Sequence, residues 1–236
     1  MDTLIKTALV ETNHALPEEE RQIEQSVLAG IGSLFANFAG SQREAYDAMA
    51  AETPIADGVT LEAVDEAGVR GWWVRPAGAP TNRAILFLHG GAYLLGSALA
   101  YRGFASQLAS RAGVAAFVPD YPLAPEYPFP AAYDAAVEAA RWLKTQGVAE
   151  IALAGDSAGG ALALAALSQI GTDAPAVAAV VVFSPWTDLA LTGKSFTRPD
   201  THDPIFQPQI LATAATTYLD GADPRDGRAS PLYVIP

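Results

Sequence analysis

The chain has 236 residues, half of them hydrophobic, with 26 acidic side chains against 14 basic ones and a formal charge of −12. There is apolar material for a full core, and the acidic balance excludes a nucleic-acid-binding surface, which needs clustered Lys and Arg. The absence of Cys excludes a disulfide framework, a thiolate metal site and a Cys nucleophile.

The first stretch, MDTLIKTALVETNHALPEEERQ, has no basic region followed by an apolar core and so does not read as a secretion signal. Residues 1–52 are expected to form a helical cap segment. Pro17 and three acids precede apolar residues at helical spacing: Ile23, Val27, Leu28, Ile31, Leu34, Phe35 and Phe38. Gly30, Gly32 and Gly40 argue against one unbroken helix.

From Val59 the pattern alternates. VTLEAVDE and VRGWWVRP, separated by Ala-Gly, predict a hairpin. AILFLHG, VAAFVPDY, IALAGDS and AVAAVVVFSP are continuous apolar runs, as strands buried on both faces should be. Helical patterns at roughly Ser97–Arg111, Ala131–Thr145 and Ala158–Ile170 lie between them, which implies right-handed crossovers onto a parallel sheet. After Pro185 the order dissolves until one more helix ends near Leu219. The longest apolar-looking run, VAAVVVFSPW, is too short to span a bilayer, so the expectation is a soluble, cytoplasmic protein.

Two of the strand ends carry chemistry. Gly155-Asp156-Ser157-Ala158-Gly159 is a G-x-S-x-G where an apolar strand turns into a helix. A nucleophilic serine must project from such a tight turn, and the free N–H groups of the helix start face a developing oxyanion. Earlier, His89-Gly90-Gly91-Ala92 follows another buried strand, where a glycine pair lets backbone N–H groups turn toward a neighbouring site. Each motif also reads as a plain strand-to-helix turn; together on one sheet they point to an acyl-transfer site.

The motifs HGGAYLLGS, VPDYPLAPEYPFPAAYDAAVEAARWL, GDSAGGALAL and FSPWTDL resemble the hormone-sensitive-lipase-like carboxylesterases, bacterial family IV of the α/β-hydrolase superfamily. The resemblance runs from about residue 60 to Tyr233 and implies an α/β-hydrolase fold. That fold would have a mostly parallel sheet of about six strands here, helices on both faces and the helical cap in front. Residues 53–236 would be the core, with 188–222 as a cap-region loop and helix. By resemblance Ser157 is the nucleophile, the N–H groups of Gly91, Ala92 and Ala158 form the oxyanion hole, Gly90 supports their turn, and His89 shapes the loop without acting as base. Two departures stand out: Ala92 replaces a glycine, and Pro122 replaces the usual arginine beside Asp120 and Glu126.

The triad order is Ser, then Asp or Glu, then His. In the family the acid and the histidine follow the seventh and eighth strands, which have no counterpart before Pro236. The one histidine after Ser157 is His202, and an Asp188–His202 makeshift is set against Asp188 as a loop-closing acid. His14 precedes the sheet. Tyr93 and Trp186 are candidate walls of a substrate pocket, against ordinary packing; Trp72, Trp73 and Trp142 read as core. No metal-ligand spacing or cofactor motif occurs, so neither is expected.

Three readings follow: a serine esterase of small, short-acyl esters acting through acyl-Ser157; a non-catalytic ligand-binding protein on the same scaffold; and a shortened form of an ordinary esterase. The strand AVAAVVVFSP is expected to need cover from a second subunit, from the helix near Leu211–Leu219, or from a complementing C-terminal chain.

Overall fold

Pro17 and the consecutive acids Glu18, Glu19 and Glu20 start helix α1 (Glu18–Asn37) in a computed structural model that describes residues 17–37, 39–196, 203 and 205–234. Phe38, His14 and His202 lie outside the described residues. Gly30 and Gly32 do not interrupt α1, contrary to the expectation from three glycines; the helix gives way only before Gly40. Ser41 begins a new helix, α2 (Gln42–Ala50), with a reciprocal cap: its side chain accepts from Glu44 N, and the Glu44 carboxylate accepts from Ser41 N at 2.7 Å.

Strands β1 (Val59–Glu66) and β2 (Val69–Pro76) form the expected hairpin, turning through Ala67 and Gly68 at φ 52° and 82°. The remaining strands are β3 (Arg83–Leu88), β4 (Ala115–Pro119), β5 (Glu150–Asp156) and β6 (Ala176–Phe183). The sheet order is β1-β2-β4-β3-β5-β6, antiparallel at β1/β2 and β2/β4 and parallel elsewhere. This is the mostly parallel six-stranded α/β architecture that the sequence implies.

Alternation along the strands divides the core. Leu86 and Leu88 pack with α4 (Ala131–Thr145) and α5 (Ser157–Leu167), whereas Ile85 and Phe87 pack with α3 (Arg102–Ala112) on the other face. Helix α3 starts five residues later than the helical pattern predicts. The segment before it spends its polar groups on tertiary ties: Ser97 Oγ donates to Asp47 at 2.8 Å, and Ala98 N donates to Asp120 at 2.7 Å. Trp73 and Trp142 are core residues, 3% and 4% exposed.

Helix α6 (Pro208–Leu219) does not cover β6. It lies against the loops at the other strand ends, where Phe129 N donates to the Tyr218 carbonyl at 2.8 Å. Strand β6 pairs with β5 alone among the described residues, and no residue of it is buried. The expectation of burial on both faces fails at this strand because, among the described residues, α5 packs against it from one side and the other face is left open. Beside it, on the α3 face, Ile85, Leu108, Ala152, Val181 and Phe183 line an apolar groove of about 480 Å³. Among the described residues no helix is long and apolar enough to cross a membrane.

Candidate active site

The G-x-S-x-G turn carries its strain at the serine. Asp156 still has extended backbone, and Ser157 then takes φ 51°, left-handed for a residue with a side chain. The turn can sit close to its neighbour because of Gly159, where a Cβ would collide with the carbonyl oxygens of Leu88 and His89. Strands β3 and β5 are adjacent, with Leu88 opposite Gly155, so the loop after β3 and the serine turn leave the sheet side by side. On the far side, Trp186 N donates to the Ser157 carbonyl at 3.0 Å.

The loop after β3 is a left-handed run of three residues, Gly91, Ala92 and Tyr93, at φ 118°, 55° and 64°. It is closed by the Gly91 carbonyl, which accepts from Leu94 N and Leu95 N at 2.9 Å each. The N–H groups of Gly91 and Ala92 donate to no other described residue. That of Gly90 is engaged: it donates to Asp156 at 2.8 Å, tying the loop to the residue before the serine. The other Asp156 oxygen accepts from Tyr101 Oη at 3.1 Å, and Tyr101 in turn meets Tyr46 Oη at 2.9 Å. Burial raises the pKa of Asp156, with the Tyr101 and Gly90 bonds opposing it.

His89 is 1% exposed, with its ring stacked on Tyr121 at 4.2 Å and Nδ1 bonded to the Gly90 carbonyl at 2.8 Å. Burial pushes its pKa down to about 4, against the pull of that carbonyl and of Asp120, so the ring is neutral near pH 7. It braces the loop. Tyr93 is buried and stacked on Tyr218 at 3.8 Å, so packing rather than an open pocket wall describes it. Trp186 is half-buried, 6.1 Å from the Tyr93 ring, and its Nε1 has no partner among the described residues.

Asp188 is fully committed elsewhere. Its carboxylate accepts from the backbone N–H groups of Ala190 and Thr192 and from the hydroxyls of Thr192 and Tyr233, all within 3.1 Å. Burial would raise its pKa, but these bonds outweigh it and hold the acid below the usual carboxylate range. That is the loop-closing role, and it leaves little of Asp188 for orienting an imidazole. His89 is the one histidine among the described residues, and Ser157 Oγ has no hydrogen-bond partner among them. No group of His, Asp and Glu among them has the arrangement of a metal site.

Three residues of α2 escaped the sequence reading: Arg43, Tyr46 and Asp47 all reach the loops around Ser157. Their i, i+3, i+4 spacing was the available signal, since it puts them on one helix face.

A family profile described as the alpha/beta hydrolase fold matches residues 85–234, from β3 to the last described residue. This chain is an α/β hydrolase of the hormone-sensitive-lipase-like branch. Its sequence is 39% identical over 222 residues to the assigned acetyl-hydrolase LipR of Mycobacterium tuberculosis, covering 90% of this chain and 71% of that protein. It is 45% identical over 166 residues to an acetyl-hydrolase of Streptomyces hygroscopicus, covering 68% of this chain and 54% of the other. The crystal structure of an esterase from the bacterial hormone-sensitive lipase family superposes with a TM-score of 0.79 at 38% identity. That match covers 94% of this hydrolase and 75% of the esterase. The matched length is thus between about half and three-quarters of these relatives.

Proposed function

We propose that this hydrolase is a serine carboxylesterase for small, short-acyl esters, acting through an acyl-Ser157 intermediate. The observation that carries the reading is the pairing of two strand ends: the strained serine turn after β5 beside a left-handed loop with uncommitted N–H groups after β3. In this reading Ser157 Oγ attacks the acyl carbon, and the carbonyl oxygen gathers charge against the N–H groups of Gly91, Ala92 and Ala158. The alcohol departs with a proton, and water then cleaves the acyl-serine. Gly90 holds the turn through Asp156. The esterase and acetyl-hydrolase names of the relatives support an ester as substrate. Cytoplasmic action is part of the proposal, supported by a chain without cysteine.

The serine proton needs an imidazole, and His89 is buried and bonded to Gly90. The base therefore comes from outside the described residues. Without one, turnover falls on the order of a millionfold, with roughly a thousandfold over water retained from the oxyanion hole and binding. The open β6 edge is where further chain would add, either a second copy of this chain or a complementing C-terminal piece. Hydrolysis of p-nitrophenyl acetate by the purified chain, lost in Ser157→Ala, is the expected result. Equal rates from the two proteins overturn the reading.

One observation favours a second reading, a ligand-binding protein that does not turn over: the lack of any imidazole beside Ser157 among the described residues. It expects a short-acyl ester to bind equally to wild type and Ser157→Ala and to be recovered intact from both.

A further inference from the structure

A backbone stretch with two successive side-chain-bearing residues at positive φ persists only where its surroundings over-determine it. The Gly91–Tyr93 run has three kinds of tie. Inside the loop, the Gly91 carbonyl accepts from Leu94 and Leu95. From the proline-rich loop after β4, Ala124 N donates to the Tyr93 carbonyl at 2.9 Å. The third comes from α2, where a single guanidinium spans both loops. Arg43 Nε donates to the Leu94 carbonyl at 2.8 Å, and Nη2 donates to the Ala124 carbonyl at 2.7 Å. The same fork also meets Glu126 with two bonds, at 3.0 and 2.6 Å. Pro122 leaves Glu126 without a cation from its own loop, and α2 supplies one.

The two halves of this arrangement differ in weight. The Arg43 and Glu126 side chains are 39% and 54% exposed, and an ion pair that wet contributes little. The carbonyl bonds are partly buried, and they bracket the Ala124–Tyr93 bond that fixes the strained turn. A lysine could keep the charge but has no planar fork with which to reach two carbonyls at once. Helix α2 is itself anchored one turn further on, by Tyr46 on Tyr101 and by Asp47 on Ser97.

We propose that Arg43 is a positioning residue: through the Leu94 and Ala124 carbonyls it holds the Gly91–Ala92 backbone in the orientation that an oxyanion requires. The proposal rests on the esterase reading for its purpose but not for its test. Amide exchange by mass spectrometry, on the whole chain, is measured for wild type, Arg43→Lys and Glu126→Gln. The expected result is exchange about tenfold or more faster across residues 89–96 in Arg43→Lys, with β5 unchanged and Glu126→Gln within about twofold of wild type. With p-nitrophenyl acetate, Arg43→Lys is expected to lower kcat by about 100-fold while KM moves little, because a small misplacement of the donors acts on the transition state. Three exchange results overturn the proposal: wild-type exchange across 89–96 in Arg43→Lys, an equal loss in Glu126→Gln, or loss of protection in β5 as well. A wild-type chain without turnover counts against the esterase reading alone, because the exchange measurement still decides the role of Arg43.

Discussion

The two edges of the sheet are finished in opposite ways. Among the described residues strand β1 is unpaired on its outer side, yet it alternates and carries Glu62, Asp65 and Glu66, charges that discourage another strand from adding. Strand β6 also has one neighbour among the described residues, but its eight residues, AVAAVVVF, include no charge, and Val181 and Phe183 are 48% and 40% exposed. In composition β1 is a rim strand and β6 an interior one. Apolar patches of that kind on a sheet edge mark a place where further polypeptide is accommodated, which is what supports the proposal of added chain at β6.

That contrast can be tested by removing matched groups from the closed interior and the open edge. Phe87, fully buried among Tyr101 and Phe104, should cost about 3–5 kcal/mol on replacement by Ala, read as a lower urea midpoint at unchanged slope. His89 gives the next largest effect and reports how dry the strand ends are. Its pKa is about 4 folded against 6.5 unfolded, so between these values the unfolded chain holds the extra proton. The contribution is therefore complete above pH 6.5 and lost as pH falls toward 4, about 3 kcal/mol in all. The raised Asp156 works in the opposite sense, so the measurement is the difference in pH slope between wild type and His89→Gln. Wild type should lose stability more steeply over that window; identical slopes would mean a solvated ring.

At the open edge the costs should shrink. Phe183→Ala is expected to lower stability by about 1 kcal/mol or less, because much of the ring is already in water. A loss as large as that of Phe87→Ala would mean that the edge is covered in solution. Smallest of all is Val181→Lys, expected within about 0.5 kcal/mol in unfolding. Its effect should appear instead in light scattering, as an apparent mass moved toward the 24.6 kDa of one chain. An unchanged, larger mass would place the association elsewhere.

Which parts of this could be read in the sequence follows from how far each instruction reaches along the chain. Strands β3, β4 and β5 announce themselves as unbroken apolar runs because each is buried from both sides. The same signal at β6 was misleading, since it encodes cover on both faces and, among the described residues, one face lies open. Both turns of the site were legible for a local reason: a strained serine turn and a glycine-paired loop each specify themselves within a few residues. Asp188 was legible too, because an aspartate closing its own loop bonds to residues two and four ahead. Tyr93 was not, because its burial depends on Tyr218 from a distant helix. The late start of α3 was hidden for the same cause, as Ser97 answers to Asp47. Arg43 was signalled only by sharing one helix face with Tyr46 and Asp47; nothing near it in sequence tells which carbonyls the fold will set before it.

The three partners of Arg43 stand 51, 81 and 83 positions further along the chain. All of them precede residue 157. Asp156, the residue just before the serine, ties the same loop through Gly90 N, so the Gly91–Tyr93 turn is held from both ends of a span of more than a hundred residues.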